Sequence, residues 1–131
     1  MILDLHVKNF TLIGELHLNF QKGLNILTGE TGAGKTIIVD AINTLIGEAG
    51  DRSSVRTGEK EAVIEGTFEI PDKLKNYLKE KGIDVEEKIV YIKRVISLHG
   101  KSRCWINNEP VSLKFLKDIG DELIDIHGQH E

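Results

Sequence analysis

The sequence contains little of what stabilises small secreted domains or anchors proteins in membranes. Its single cysteine, Cys104, cannot form an internal disulfide, which suits the reducing interior of a cell. No apolar run approaches the roughly 18 residues that a transmembrane helix requires. The first residues also lack the basic and apolar segments of a secretory signal. These absences predict a cytoplasmic protein with no membrane partner.

A broad basic surface is absent as well, since the 131 residues carry a formal net charge of -4. Any contact with nucleic acid would therefore need a local patch or further polypeptide segments. The hydrophobic content of 40% and the charged content of 29% are those of a globular protein. The length allows one compact domain rather than two, so we expect residues 1–131 to form one domain or one lobe.

One segment carries specific chemistry, because it matches the phosphate-binding pattern G-x-x-x-x-G-K-[S/T]. Its residues are Gly29, Glu30, Thr31, Gly32, Ala33, Gly34, Lys35 and Thr36. The glycines allow successive backbone N–H groups to turn toward a phosphate. In such loops the lysine reaches the β and γ phosphates, and the hydroxyl group ligates Mg²⁺. The segment predicts a site for a nucleoside triphosphate with Mg²⁺.

The residues on both sides of this segment support the prediction. Residues 24–28 are typical of a short buried strand. The apolar residues that follow recur at helical spacing, namely Ile37, Ile38, Ala41, Ile42, Leu45 and Ile46. A strand, a glycine loop and a helix in this order are what such a site requires. The alternative is a glycine-rich turn that carries one surface lysine.

Two elements of a complete hydrolytic site are missing from the sequence. No run of four apolar residues ends in an acidic pair that could hold Mg²⁺ through water and polarise an attacking water. No L-S-G-G signature is present either. We therefore expect the chain to bind nucleotide without efficient turnover, unless another segment or chain supplies these groups.

Alternation of apolar and polar residues predicts a largely β-stranded remainder with short, antiparallel connections. The predicted strands cover residues 3–8, 15–20, 62–69, 89–97 and 102–107. We expect the helix after Thr36 to end near Gly47 and a second helix over residues 73–81 with Asp72 as its N-cap. Residues 107–110 predict a turn. Ser112 then caps a helix whose Leu113, Leu116 and Ile119 share one face.

Three groups of side chains allow two interpretations each. His6 and His17 could form a metal pair, but solvated histidines on a strand fit better because no cluster shows ligand spacing. The cations Lys93, Arg94, Lys101 and Arg103 could contact DNA or could protect an edge strand by charge. Trp105 could stack on a base, although a tryptophan within a strand is usually part of the core.

Four segments together closely resemble the N-terminal head segment of the RecN family of bacterial DNA repair proteins. They are residues 7–10 (V-K-N-F), residues 28–36, residues 55–58 (V-R-T-G) and residues 126–131 (I-H-G-Q-H-E). This family belongs to the SMC-like branch of ABC-type ATPases. The resemblance implies an α/β P-loop NTPase fold of the ABC/SMC head type, with a mixed, largely antiparallel sheet packed around the helix after the phosphate loop.

The resemblance also implies roles for individual residues. Lys35 would be catalytic, and Gln129 resembles the Q-loop glutamine that joins the Mg²⁺ shell and helps to place the attacking water. Arg56 resembles the arginine-loop residue of SMC heads, which connects nucleotide to head engagement. Asn9 lies where related heads approach the adenine and sugar. The cofactors implied are ATP and Mg²⁺.

The head of this family is split, so the resemblance implies an N-terminal lobe whose coiled coil and C-terminal lobe are absent. The implied partners are that C-terminal lobe, a second head that sandwiches ATP, and DNA in the bacterial nucleoid. A lobe without its partner would self-associate or be marginally stable. The alternatives are a small nucleotide kinase that completes its own site and a nucleotide-gated interaction module that never hydrolyses ATP.

Overall fold

A computed structural model describes residues 1–20, 32–48 and 52–127 of the chain. Its elements are β1 (Ile2–Phe10), β2 (Ile13–Asn19), α1 (Gly32–Leu45), a 3-10 helix (Arg52–Ser54), β3 (Glu61–Glu69), α2 (Asp72–Glu80), β4 (Ile89–Ser97), β5 (Arg103–Ile106), β6 (Glu109–Val111) and α3 (Leu113–His127). The strand predicted over residues 24–28 lies outside the described residues, as do Gly29, Glu30, Thr31 and Gln129.

The six strands form one sheet in the order β2-β1-β3-β4-β5-β6. Every pair of neighbours in this sheet is antiparallel, which confirms the prediction of a largely antiparallel sheet. Alternation determines the register, because Leu5 and Val7 point to the core while His6 and Lys8 point to the opposite face. Two hairpins with short turns, β1–β2 and β5–β6, form the two ends of the sheet.

Helix α1 packs on the core face of the sheet. Ala41 and Leu45 are fully buried there. The helix comes close to β3 at Gly66, where an added Cβ would lie 2.5 Å from Cδ2 of Leu45. The glycine in the middle of β3 therefore makes room for the helix that follows the phosphate loop. The helix ends at Leu45, as predicted, with Gly47 in a left-handed conformation (φ 123°).

Three local predictions were wrong in detail. Asp72 is the first residue of α2, and Pro71 occupies the N-cap position without a side-chain bond. Glu109 and Pro110 belong to the short strand β6, so only Asn107 and Asn108 form the turn. Ser112 does cap α3, since the Phe115 N–H donates to its Oγ at 3.0 Å. However, Leu113 is 39% exposed and does not share the buried face of Leu116 and Ile119.

The interpretation of the charges on β4 was also wrong. β4 lies in the interior of the sheet, so neither Lys93 nor Arg94 protects an edge. Arg94 is only 1% exposed and lies in the core. Trp105 is half-buried on the face opposite α1, where Nζ of Lys93 and Cζ of Arg103 both lie 5.5 Å from its ring centroid. Arg94, which was predicted at the surface, therefore lies in the core, and Trp105, which was predicted in the core, lies on the opposite face of the sheet.

Candidate functional site

The phosphate-binding segment leads directly into α1. Five of its eight residues, Gly32 to Thr36, form the beginning of this 14-residue helix, while Gly29 lies before the described part. The first turn contains no acidic residue. Unpaired N–H groups and the helix dipole favour an anion at such an end, and no carboxylate of the first turn competes for it. Thr36 is exposed at this end of the helix. The helix terminus therefore suits a phosphate group.

The opposite end of α1 is held by the buried guanidinium of Arg94. Its Nη1 donates to the carbonyl oxygen of Thr44 at 2.6 Å and also to the carbonyl oxygen of Glu48. Burial lowers the pKa of Arg94 from its usual value, but an arginine still keeps its charge at neutral pH. A cation at a helix C-terminus complements the dipole there. Arg94 thus stabilises the helix that carries the phosphate loop.

Helix α3 packs against the same end of α1, and the two backbones are in direct contact there. A Cβ added to Gly120 would lie 1.9 Å from the carbonyl oxygen of Ile46. A Cβ added to Gly47 would lie 2.5 Å from Cα of Lys117. Helix α3 runs on to His127, two residues before the predicted Mg²⁺ ligand Gln129. The helix that starts at the phosphate loop is therefore in backbone contact with the helix that leads to Gln129.

The structure brings Asn9 and Arg56 together, although they lie far apart in the sequence. The Arg56 N–H donates to the Asn9 carbonyl oxygen at 2.9 Å, and the Thr11 N–H donates to the Ser54 carbonyl oxygen at 2.8 Å. Phe10 and Val55 pair between these two bonds. The segment after the 3-10 helix is thus attached to the β1–β2 turn. This places two predicted nucleotide contacts side by side.

The side chain of Arg56 extends over β2. Its Cζ and Nη1 lie 3.7 Å from the position that a Cβ of Gly14 would occupy. Arg56 is exposed, so its guanidinium is accessible to an anion. Asn9 and Thr11 both adopt positive φ angles, 56° and 50°, which bend the β1–β2 turn toward Ser54. No sequence pattern indicates this contact, because backbone groups at the end of β1 and after the 3-10 helix make it.

Each of the two strand histidines pairs with a carboxylate, and their rings also lie side by side with centroids 5.3 Å apart. Nε2 of His6 lies 2.8 Å from Oε2 of Glu15, and Nε2 of His17 lies 2.9 Å from Oδ1 of Asp4. The hydrogen bond from His6 lowers the pKa of the exposed Glu15 carboxyl. Among the described residues no group of three or more His, Cys, Asp or Glu side chains could hold a metal ion. With 32% and 60% of their side chains exposed, His6 and His17 lie on the solvated face of the sheet, as predicted.

No helix in the described ranges is both long and apolar enough to cross a lipid bilayer.

Burial raises the pKa of the Cys104 thiol, and its Sγ donates to the carbonyl oxygen of Val111 at 3.2 Å. The thiolate is the reactive form of cysteine, so a raised pKa makes this thiol a poor nucleophile.

Comparison with known proteins agrees with this geometry. The DNA repair protein RecN of Bacillus subtilis is 46% identical over the whole chain, and RecN of Vibrio cholerae serotype O1 is 36% identical over 99% of it. The chain spans only about a quarter of the length of these relatives, 23% and 24%.

The fold of the chain is also found in a solved structure. A chain from a study titled "Structural biochemistry of ATP-driven dimerization and DNA stimulated activation of SMC ATPases" superposes with a TM-score of 0.66 at 24% identity, covering 95% of this chain and 77% of that one. At that identity the likeness establishes the fold alone, which is the expected SMC-type head fold. A family model described as AAA domain matches residues 4–129. The chain is a member of the AAA domain family.

Proposed function

We propose that this chain is the phosphate-binding lobe of an ATPase head that acts in the recombinational repair of DNA double-strand breaks. The observation that carries the proposal is the G-x-x-x-x-G-K-T segment at the start of α1. The other end of this helix is fixed by Arg94 and α3. A rigid helix keeps its N-terminal N–H groups in position for a phosphate. The similarity to RecN proteins supports the role in DNA repair.

In this proposal the segment from Gly29 to Thr36 holds the phosphates of ATP. Lys35 neutralises charge on the β and γ phosphates, and the Thr36 hydroxyl binds Mg²⁺. Gln129 completes the Mg²⁺ shell and orients the attacking water. Asn9 and Arg56, which the β1–β2 turn holds together, contact the nucleotide. When bound, Mg²⁺ neutralises the charge that develops on the transferred phosphoryl group.

The remaining groups of the catalytic site would come from other polypeptide. We propose a C-terminal lobe of the same protein and a second head, so that ATP binding closes two heads and hydrolysis releases them. A net charge of -4 on this chain does not favour contact with DNA. DNA would therefore be bound by other parts of the full-length protein, in the bacterial cytoplasm.

The proposal is tested by measuring ATP binding and ATP turnover by this chain alone. Lys35→Ala is the test variant, and Lys101→Ala, which removes an exposed lysine far along the chain, is the matched control. A fluorescent ATP analogue should bind the wild type and Lys101→Ala in the presence of Mg²⁺, and Lys35→Ala should bind at least about tenfold more weakly. None of the three should hydrolyse ATP above background.

The other outcomes have distinct meanings. Equal binding by all three proteins would refute a phosphate site at α1. Robust turnover that Lys35→Ala abolishes would mean that the chain completes its own site, as a small nucleotide kinase does. If a longer relative that carries this lobe repairs DNA normally after loss of its hydrolytic glutamate, the site gates an interaction without hydrolysis.

A further inference from the structure

Three neighbouring elements contact helix α1 at its C-terminal end. Leu45 packs against β3, Ile46 meets α3, and Arg94 of β4 donates to the carbonyl oxygens of Thr44 and Glu48. The phosphate-binding segment joins the other end of this 14-residue helix, about 20 Å away at a rise of about 1.5 Å per residue. A change of angle at the C-terminal end is therefore enlarged at the phosphate site.

The position of the phosphate site is sensitive to the angle of this helix. A rotation of α1 by about 5° about its C-terminal end would displace its N-terminus by about 2 Å. A binding site must hold its groups within about 0.5 Å of the productive geometry. The contacts at the C-terminal end of α1 therefore influence how well its first turn can meet a phosphate.

Among these contacts, the one made by Arg94 is both attractive and directional. At Gly66 and Gly120 the neighbouring elements approach closely, which limits the distance between them. The guanidinium of Arg94 is planar with donors at fixed angles, and its Nη1 donates to two carbonyl oxygens at the end of the helix. Two bonds from one rigid group determine the direction of α1 as well as its distance from β4.

The charge of Arg94 also acts on this helix. The side chain is 1% exposed, so bulk water does not compensate the charge. In residues 1–20, 32–48 and 52–127 no carboxylate forms an ion pair with it. The pKa of its cross-strand neighbour Cys104 is raised by burial, so that thiol is neutral at neutral pH. The guanidinium is therefore compensated by the carbonyl groups at the C-terminus of α1, where the helix dipole is negative.

We propose that Arg94 is a positioning residue for the phosphate site, which it affects through the orientation of α1 without touching the nucleotide. This inference rests on the proposed binding of ATP at the start of α1, and it adds a residue that no sequence motif assigns to that site. Because Arg94 acts from the opposite end of the helix, its loss should weaken ATP binding less than the loss of Lys35.

Binding of a fluorescent ATP analogue in the presence of Mg²⁺ tests this role. Arg94→Met should bind about threefold to tenfold more weakly than the wild type, because it removes both bonds to the end of α1. Arg94→Lys should lie between the two, since lysine keeps the charge but lacks the planar group. Ser112→Ala is the control, because it removes the cap of α3 and also lowers stability while Arg94 and α1 stay unchanged. This control should bind like the wild type.

The folded fraction of each variant separates orientation from stability. Circular dichroism measures this fraction under the conditions of the binding assay. Partial unfolding lowers the apparent affinity only in proportion to the folded fraction. A variant that is mostly folded but binds at least about threefold more weakly therefore has an altered site and not merely a lower stability.

Chemical rescue separates the guanidinium group from the packing of the side chain. Arg94→Ala leaves a space beside the carbonyl oxygens of Thr44 and Glu48 that a free guanidinium ion can occupy, whereas the longer side chain of Arg94→Met fills most of it. Guanidinium chloride, well below the concentrations that unfold the protein, should raise the ATP affinity of Arg94→Ala but not that of Arg94→Met. Sodium chloride at the same concentration is the control for ionic strength.

The possible failures are distinguishable. If the wild type binds ATP and Arg94→Met binds equally well, the positioning role is overturned and the proposed function stands. Equal weakening in Arg94→Met and Ser112→Ala would also overturn the role, because the effect would not be specific to α1. A wild type that does not bind ATP would refute the phosphate site and this role with it.

The rescue has its own contradicting results. An equal effect of guanidinium on Arg94→Ala and Arg94→Met, or no effect on either, would show that the group itself is not required. If Arg94→Ala does not fold, the order of the other variants decides, and Arg94→Lys that binds no better than Arg94→Met would contradict the proposal.

Discussion

Replacement of Arg94 by methionine should lower the free energy of unfolding by about 1–3 kcal/mol. The change removes a charged donor that bonds to the carbonyl oxygens of Thr44 and Glu48. Hydrogen bonds to charged groups contribute about 1.5–3 kcal/mol each, so the gross loss is about 3–6 kcal/mol. Methionine has a similar length and is unbranched, so it fills most of the space.

Two features of the site reduce this gross loss. Removing a guanidinium that is 1% exposed also removes its desolvation cost, which is several kcal/mol for a buried charge. Its Nε has no partner among the described residues, so part of that cost is uncompensated. The Thr44 oxygen keeps a bond from the Gly47 N–H, and Glu48 is exposed and can bond to water. The net effect is therefore destabilising but smaller than the gross figure.

Urea unfolding measures this prediction, with fluorescence of the single tryptophan, Trp105, as the signal. Arg52→Met is the matched control, because Arg52 is exposed and its loss should change stability by less than about 0.5 kcal/mol. If Arg94→Met unfolds at the same urea concentration as Arg52→Met, Arg94 does not stabilise α1. If Arg94→Met is more stable than the wild type, the desolvation cost exceeds both hydrogen bonds.

Three further predictions concern other parts of the chain. Gly120→Ala should destabilise by more than about 2 kcal/mol, because its Cβ would overlap the Ile46 oxygen. Gly100→Ala is the control and should lose less, because its Cβ would make only an ordinary contact, 3.6 Å from Cβ of Ser97. Thermal unfolding compares the two, and equal losses would exclude the contact. Ser112→Ala should cost about 1 kcal/mol and Ser112→Asp much less, as measured by urea unfolding, and equal losses would show that the cap contributes nothing. Burial and the hydrogen bond to Glu65 raise the pKa of Tyr91, so the folded state favours its neutral phenol. The contribution of this group to the free energy of unfolding is fully present below about pH 10, the pKa of an unfolded tyrosine, and is lost as the pH rises above that value. Tyr91→Phe should therefore lose less stability than the wild type between pH 9 and 11 (about one pH unit on either side of that value) in urea unfolding, and identical pH profiles would contradict this.

Most of the sheet could be predicted from the sequence because its strands alternate cleanly. Residues 62–69 and 89–97 differ from β3 and β4 by at most one residue at an end. The strand β6 was missed because three residues are too few to show a period. Its Pro110 also suggested a turn, although proline is tolerated on an edge strand.

Arg94 could have been located by the same alternation that located its strand. It is in phase with Ile92 and Ile96, which are both buried, so the pattern itself placed it on the core face. Its charge suggested a surface position instead, since arginine is rarely fully buried. Gly120 offered a weaker signal, because a glycine inside a helix usually has a packing reason.

The helix that follows the phosphate segment could be predicted from its apolar spacing, and the binding of phosphate by the segment remains a prediction for all eight residues. The contact between Asn9 and Arg56 could not be derived from spacing. It joins the end of β1 to the segment after the 3-10 helix through backbone bonds, and such bonds carry no residue-specific signal. Only the family resemblance brought these two residues into one site.

The contact of Gly120 with Ile46 has a mechanical consequence. Side chains at most helix contacts can change rotamer and absorb a small shift of one helix. Here backbone meets backbone, so no rotamer is available to take up the displacement. A shift of α1 when its N-terminus binds a ligand would therefore move α3 as a rigid body. Any polypeptide that follows His127 would move with it, and a small rotation at the contact would become a larger displacement further along.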